Sequence, residues 1–158
     1  MCARNLMEKE SDILISYGDI IYSKEVLDKI LQSQDDMGVI VDDGWYEYWS
    51  ARCENPLDDA ETLMFNENNY LTEIGQKTND LNKVQSQYIG LMRFKNAGLQ
   101  AVLDLSAEAK KRSENGKTLW RTERTYAKMY MTDLLQGLID ENYKLKAVHI
   151  QRGWFEIC

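Results

Sequence analysis

Long hydrophobic runs and closely spaced glycines are both missing from this sequence of 158 residues. No apolar run exceeds three residues, and the opening residues MCARNLMEKE lack the apolar segment of a signal peptide. The sequence therefore predicts neither a membrane span nor secretion, and we expect a cytoplasmic protein. The nine glycines lie at least six residues apart, which excludes a glycine-rich loop of the kind that holds nucleotide phosphates.

Cysteine and histidine are too scarce for several classes of site. Cys2, Cys53 and Cys158 are far apart and form no CxxC pair, so we expect reduced thiols rather than a disulfide framework or a zinc site. The single histidine, His149, excludes a histidine-rich metal site. Because it lies in the alternating segment KLKAVHI, we interpret His149 as a structural residue of a strand rather than a catalytic one.

Positive charge is in the minority, with 19 Lys and Arg against 26 Asp and Glu and a formal net charge of −7. This balance, without a basic cluster, argues against a nucleic-acid partner, because affinity for the phosphate backbone comes mainly from Lys and Arg. The apolar fraction of 44% is that of an ordinary globular protein. At this length we expect one domain whose core needs no disulfide or structural metal.

Short strands and helices alternate at the start of the chain. Residues 12–17 (DILISY) predict a strand that ends in the turn Gly18-Asp19, and Ser23 predicts the cap of an amphipathic helix that extends to about Ser33. The segment GVIVD predicts the next strand. This order is typical of a βαβ unit with a parallel strand pair.

The remaining pattern predicts an α/β fold with a mixed, mostly parallel sheet flanked by helices. In chain order we first expect a short helix with Trp45 and Trp49 on one face, and then a hairpin from ETLMF and YLTEI. A strand QYIGLMRF and a helix through Leu99 and Ala109 follow. We then expect a helix from Thr125 to Glu141, and finally the strands KLKAVHI and WFEI joined by a turn at Gly153. The last helix places Asp133 at its middle, where we expect a packing role. Residues 2–9 resemble a helix end and the last strand stops at Cys158, so we expect a fold that is incomplete at both ends.

One carboxylate stands where α/β proteins bind ligands. Asp19 directly follows the strand DILISYG, and ligands of open α/β sheets bind beyond the carboxyl ends of the strands. A carboxylate there can hold Mg²⁺ together with substrate phosphates. Asp after Gly is also a common turn former, so the position alone leaves both roles open.

Aromatic residues cluster after the second predicted strand. Trp45, Tyr46, Tyr48 and Trp49 lie within five residues, and Tyr88 follows in QYIG. These rings suit either a binding pocket for a quaternary ammonium group, through cation–π attraction, or a buried helix face.

The aromatic cluster is followed by an arginine and an acidic loop. Arg52 either orders this loop through Asp58, Asp59 or Glu61, or reaches a phosphate as a planar fork.

Several segments taken together resemble the sugar-phosphate and phosphocholine-type nucleotidyltransferases, and among these the cytidylyltransferases that act on phosphocholine-like or phosphonate substrates. The resemblance runs in order over nearly the whole chain. It is carried by DILISYGDIIY, VDDGWYEYWSARCENPLDDAETL, LTEIGQK, QYIGLMRF, YMTDLLQGLID and GWFEI.

The resemblance implies a nucleotide-diphospho-sugar transferase fold and a magnesium-dependent enzyme. Such an enzyme transfers a nucleotidyl group, here a cytidylyl group from CTP, to a phosphocholine-, phosphonate- or sugar-phosphate-type acceptor with release of pyrophosphate. It implies that Asp19 of the YGD motif and Glu156 of the WFE motif bind the metal, and that Lys77 meets the acceptor phosphate. Glu156 would also contact the acceptor, as would Arg52, Tyr88 and the two tryptophans.

The resemblance also has two departures. The family's amino-terminal third, with its GxGTR-type nucleotide loop, has no counterpart here, and Cys158 stands where relatives carry an acidic residue. We therefore expect residues 1–158 to form one partial nucleotidyltransferase domain, the carboxyl-terminal two-thirds, which is inactive alone.

Two other functions stay open. A nucleotide-sugar glycosyltransferase of related fold typically has a DxD motif, whereas Asp19 is followed by Ile20 and Ile21. A non-catalytic interaction module is the other alternative, because exposed sheet edges pair with other chains, and a homo-oligomer is compatible with either function.

Overall fold

The computed structural model describes residues 3–58 and 60–157, so predictions for Cys2, Asp59 and Cys158 lie outside the described residues. The strands are β1 (Asp12–Ser16), β2 (Ile20–Tyr22), β3 (Met37–Asp42), β4 (Glu61–Phe65), β5 (Leu71–Lys77), β6 (Gln87–Lys95), β7 (Lys146–Ile150) and β8 (Trp154–Glu156). The α-helices are α1 (Arg4–Met7), α2 (Lys24–Gln32), α3 (Trp45–Ser50), α4 (Asn96–Glu114) and α5 (Met131–Asp140).

The main sheet is mixed, as the pattern predicts, with strand order β1-β6-β3-β7. Within it β3 and β7 pair in parallel, whereas β6 is antiparallel to both β1 and β3. The expectation of a mostly parallel sheet is therefore wrong for the described strands. The predicted parallel pair is also corrected, because β1 and β3 run in the same direction but β6 lies between them.

Strand β6 takes this central place because both of its faces are apolar. Its residues Ile89 and Leu91 pack with α2, whereas Met92 and Phe94 pack with α4 and α5 on the opposite face. A strand covered on both sides has a near-continuous hydrophobic sequence, which the local pattern of QYIGLMRF shows. Its two neighbours along the sheet are far away in sequence, so local periodicity does not reveal them.

Two small antiparallel sheets flank the main one. The predicted hairpin is confirmed as β4 and β5. Strand β8 pairs with β2 rather than with β7, so the turn at Gly153 joins two strands that belong to different sheets. The reason is backbone conformation: Arg152 and Gly153 both have positive φ, 62° and 91°, and turn the chain out of the main sheet.

The segment before α5 also differs from the predicted helix. A 3-10 turn covers Tyr126–Lys128, and α5 begins at Met131. Asp133 is therefore at the third position of the helix, where its carboxylate accepts a hydrogen bond from the Tyr130 N–H at 2.8 Å. Arg124 lies 3.1 Å from the same carboxylate, so Asp133 caps the helix, which corrects its expected place at the middle.

The other early elements follow the sequence closely. Helix α2 begins after Ser23, whose extended backbone is the usual cap conformation. Cys53 is a free thiol, as expected. Among residues 3–58 and 60–157, no helix combines the length and apolarity needed to cross a membrane.

Candidate functional site

A cleft of about 550 Å³ opens between β2 and β8, the first half of β6, and the segment that leads into α5. Its walls carry aromatic rings and carboxylates. The aromatic lining residues are Tyr17, Trp49, Tyr88, Tyr130 and Trp154, and the acidic ones are Glu61 and Glu156. No Lys or Arg from the described ranges lines it. The cleft is therefore suited to a ligand with an apolar or cationic group.

Two tyrosines meet inside this cleft. Tyr17 and Tyr88 make an edge-on contact with ring centroids 5.8 Å apart. Burial raises the pKa of the Tyr88 hydroxyl well above its ordinary value, and burial also raises the pKa of Tyr17. Both hydroxyls consequently stay protonated and neutral around pH 7.

Glycines allow two lining residues to approach the backbone. Gly90 has φ +88°, and a Cβ placed there would lie 2.5 Å from the Tyr17 ring. Gly75 has φ +80°, and its Cβ would lie 2.5 Å from the Thr132 Cβ. Sequence reasoning did not assign these glycines, although a glycine inside a strand pattern signals a bulge or a close approach.

Glu156 reaches the cleft from the β2–β8 ribbon, where it stands opposite Ile20. Its backbone N–H donates to the Tyr48 hydroxyl at 3.1 Å. Arg52 Nη1 lies 3.7 Å from Glu156 Oε2 and donates to the same hydroxyl at 2.5 Å. The structure thus brings Glu156, Arg52 and the aromatic cluster together, as the predicted site requires.

Asp19 lies one residue before β2, in the exposed turn that follows β1. Its carbonyl accepts a hydrogen bond from the Ile157 N–H at 2.7 Å, so its backbone adjoins the end of the strand that carries Glu156. The Asp19 side chain is not among the residues that line the cleft.

Asp19 and Glu156 are the candidate metal donors at the end of the β2–β8 ribbon. The described residues contain no cluster of three or more His, Cys, Asp or Glu side chains that could hold a metal. Of the two candidate carboxylates only Glu156 lines the cleft, and magnesium is commonly held by one or two protein carboxylates with substrate phosphates and water completing the shell. A dedicated all-protein metal site would not be expected from this donor set.

Lys77 ends β5 and is exposed, outside the lining of the cleft. It stands opposite Glu61 in the β4–β5 pairing, and its Nζ lies 3.5 Å from the Asp58 carbonyl. Its side chain is therefore held near Glu61, which does line the cleft.

The two tryptophans of α3 have different surroundings. Trp45 and Trp49 are each only 4% exposed and pack with Ala60 and Val84. Trp49 also forms part of the cleft wall, whereas Trp45 does not. The core-packing alternative accounts for Trp45, and Trp49 serves both the core and the cleft.

Two aspartates of the segment VDDGW bind residues next to the cleft. No role was assigned to them from the sequence. Asp42 is fully buried and accepts hydrogen bonds from Trp154 Nε1 at 2.8 Å and Arg152 Nη1 at 3.1 Å. Asp43 binds Ser86 and lies 2.9 Å from His149 Nδ1. His149 also contacts the Phe65 ring, with centroids 4.8 Å apart. These contacts match the structural interpretation of His149.

Comparison with known proteins gives one sequence relative and a group of structural neighbours. No family model matches the sequence. CTP:phosphoglutamine cytidylyltransferase of Campylobacter jejuni is 34% identical over 160 aligned residues, which cover 99% of this chain and 60% of that protein. The chain thus spans about three-fifths of the length of this curated relative.

The structural neighbours are longer as well. The inositol-1-phosphate CTP transferase of T. maritima has a TM-score of 0.62 and 17% identity, over 96% of this chain and 52% of that one. A Bacillus anthracis structure assigned as a glucose-1-phosphate thymidylyltransferase has a TM-score of 0.61 and 12% identity, over 98% and 52% of the two chains. These likenesses confirm the nucleotide-sugar transferase type of fold. The chain is therefore a homologue of a cytidylyltransferase, with the fold of the nucleotidyltransferases.

Proposed function

We propose that the protein takes part in the magnesium-dependent transfer of a cytidylyl group from CTP to a phosphorylated or phosphonate acceptor that also carries a cationic group. In this reaction an oxygen of the acceptor's phosphorus group attacks the α-phosphorus of CTP. The bond from that phosphorus to the bridging oxygen breaks, and pyrophosphate leaves. The 34% identity to a CTP-dependent enzyme supports the choice of nucleotide.

The composition of the cleft wall is the observation that carries the acceptor class. Five aromatic side chains and the carboxylates of Glu61 and Glu156 line it, without a described Lys or Arg. Aromatic faces and carboxylates attract an ammonium group, and this combination favours a cationic acceptor over an uncharged one. Phosphocholine, aminoethylphosphonate and the phosphoglutamine of the Campylobacter relative all carry such a cation.

The family resemblance suggests the roles of Asp19, Glu156 and Lys77, and the contacts in and beside the cleft suggest those of the other residues. Asp19 and Glu156 would hold Mg²⁺, which when bound neutralises the charge that builds up on the phosphates. Tyr88 and Trp49 would contact the acceptor's cationic group, and Arg52 would orient Glu156. Lys77 would meet the acceptor phosphate from the rim of the cleft.

Binding of matched acceptors tests the acceptor class. Phosphocholine is titrated into the protein by calorimetry, with inositol 1-phosphate as the acceptor that lacks a cation. We expect phosphocholine to bind about tenfold more tightly, since a cation–π contact and a carboxylate together contribute about 1–2 kcal/mol. Equal affinities would contradict a cationic acceptor.

Substitution of Asp19 tests the proposed magnesium ligand. Asp19→Asn keeps the size of the side chain but loses the charge, so we expect the affinity for Mn²⁺, used as a probe for Mg²⁺, to fall by about tenfold or more. Asp80→Asn is the matched control, because Asp80 is also exposed but caps a 3-10 turn far along the chain. An unchanged Mn²⁺ affinity in Asp19→Asn would show that the assignment is wrong.

A further inference from the structure

We propose that Tyr48, Arg152 and the buried Asp42 are positioning residues that hold strand β8, and with it the Glu156 carboxylate, at the cleft. The proposal rests on the proposed function, because it takes Glu156 as a group that acts on the metal or the acceptor. It adds three residues whose side chains do not themselves line the cleft.

Strand β8 has only three residues and one neighbouring strand, β2. The Ser23 N–H donates to the Gly153 carbonyl at 2.8 Å, and the Ile157 N–H donates to the Asp19 carbonyl at 2.7 Å. In an antiparallel pair these bonds alternate along the strand, so the backbone groups of Glu156 face away from β2. A two-stranded ribbon of this length is marginally stable alone, and Glu156 therefore needs support from its other side.

Tyr48 supplies that support. Its hydroxyl oxygen accepts the outward-facing Glu156 N–H at 3.1 Å and Arg52 Nη1 at 2.5 Å. A tyrosine hydroxyl oxygen has two lone pairs. One accepts the Glu156 N–H and the other accepts the Arg52 N–H, so the hydroxyl links the backbone of Glu156 to the arginine that lies beside its carboxylate. The hydroxyl thus takes the place that a second neighbouring strand would occupy.

The Tyr48 ring is itself held by β8 and by the turn that precedes it. The Arg152 guanidinium lies 3.8 Å from the centre of the ring, close enough for a cation–π contact. The Trp154 ring packs against the same tyrosine with centroids 5.4 Å apart. Movement of Tyr48 would therefore displace both residues that lead into Glu156.

Asp42 ties this arrangement to the central sheet. It ends β3, is fully buried, and accepts hydrogen bonds from the Arg152 N–H at 2.8 Å, from Arg152 Nη1 at 3.1 Å and from Trp154 Nε1 at 2.8 Å. A buried carboxylate needs such partners, and loss of one leaves an uncompensated charge. The central sheet thus fixes the position of the turn that contains Arg152. This turn fixes the positions of Tyr48 and Trp154, and these two residues fix the position of Glu156.

Tyr48→Phe tests the step nearest to Glu156, because it removes only the hydroxyl. We expect the Glu156 amide to exchange with deuterium about tenfold faster, as measured by NMR, since its hydrogen bond is lost. We also expect Mn²⁺ affinity to fall about threefold to tenfold, because the carboxylate is less well oriented. Tyr46→Phe is the matched control: it removes a hydroxyl from the same helix, at a half-exposed position, and should change neither quantity.

Arg152→Lys tests the contacts of the Arg152 guanidinium while a positive charge stays beside the buried Asp42 carboxylate. Lysine keeps the positive charge but loses the planar group that both stacks on Tyr48 and binds Asp42. We expect the same two changes in smaller degree, with a melting temperature close to that of the unmodified protein. If Tyr48→Phe and Arg152→Lys leave both the Glu156 amide exchange and the Mn²⁺ affinity unchanged, the positioning role is overturned.

Glu156→Gln separates this proposal from the proposed function. If Glu156→Gln leaves Mn²⁺ affinity unchanged, the metal role of Glu156 is wrong, and the positioning role is then decided by amide exchange together with phosphocholine affinity. If Glu156→Gln weakens Mn²⁺ binding but Tyr48→Phe changes neither measurement, the proposed function stands and the positioning role fails.

Discussion

Trp45 and Trp49 show how two identical residues on one short helix acquire different roles. Both are buried to the same extent in one apolar cluster, and their spacing of four residues places them on one helix face. Only Trp49 also forms part of the cleft wall. The two residues are consequently a natural pair for separating stability from binding.

We expect Trp49→Leu and Trp45→Leu to destabilise the fold by a similar amount, about 1–3 kcal/mol each, because both remove large buried rings. Only Trp49→Leu should weaken phosphocholine binding, by about threefold to tenfold, because it removes a ring face from the cleft. Urea unfolding and calorimetric titration measure the two effects. Equal loss of affinity in both variants would mean that the effect is transmitted through the core.

Gly90 is a second position where one residue decides the shape of the cleft. Gly90→Ala combines a positive φ with a contact of 2.5 Å to the Tyr17 ring, and we expect it to destabilise the protein by about 2–4 kcal/mol. Gly116→Ala is the control, since Gly116 also has a positive φ, +66°, but has no atom within 4 Å of an added Cβ. Denaturant unfolding compares the two. Equal destabilisation would indicate that the Tyr17 contact adjusts freely.

At the scale of secondary structure, the start of α5 depends on a single carboxylate. Asp133 is 4% exposed and receives both the Tyr130 N–H and the Arg124 guanidinium. The segment Met129–Thr132 before and at this helix start lines the cleft. The cap therefore connects helix formation with the shape of the candidate site.

We expect Asp133→Ala to lower the free energy of unfolding by about 1–3 kcal/mol, because a helix cap and the ion pair between the buried Asp133 carboxylate and the exposed Arg124 are both lost. Asp28→Ala is the control, since the Asp28 pair with Lys24 is exposed at the surface of α2 and such pairs contribute little. Thermal unfolding followed by circular dichroism gives the comparison. A melting temperature equal to that of the control would contradict the cap.

At the scale of the whole molecule, the described lining of the cleft offers aromatic rings and carboxylates but few groups for a triphosphate. Its described lining contains no Lys or Arg, and the glycines are too far apart in sequence for a phosphate loop. The Campylobacter relative, of which the chain spans 60%, is longer. The cleft is thus proposed as the site of the acceptor, with the triphosphate bound by other residues.

We accordingly expect the 158-residue chain alone to show no measurable cytidylyl transfer. A coupled pyrophosphate assay with CTP, Mg²⁺ and phosphocholine or aminoethylphosphonate measures this, with the intact Campylobacter enzyme and phosphoglutamine as the positive control. Robust turnover by the chain alone would show that other residues bind the triphosphate.

The sequence by itself determined most local structure and the type of fold. The strand-turn pattern around Asp19, the helix after Ser23 and the hairpin of β4 and β5 follow from side-chain periodicity and turn chemistry, which act over a few residues. The motifs around YGD and WFE indicated the resemblance, and the comparisons give a cytidylyltransferase as a sequence relative and nucleotidyltransferases as structural neighbours. The assignments of Asp19, Lys77 and Glu156 stay predictions.

Only the tertiary structure decided how distant segments meet. The insertion of β6 between β1 and β3, and the pairing of β8 with β2, join residues far apart in the chain, and periodicity carries no information about such partners. For the same reason no local pattern shows that Asp42 reaches Arg152 and Trp154, 110 and 112 residues away. The tertiary structure likewise decides which tryptophan reaches the cleft, because Trp45 and Trp49 are buried to the same extent and only Trp49 lies in the cleft wall.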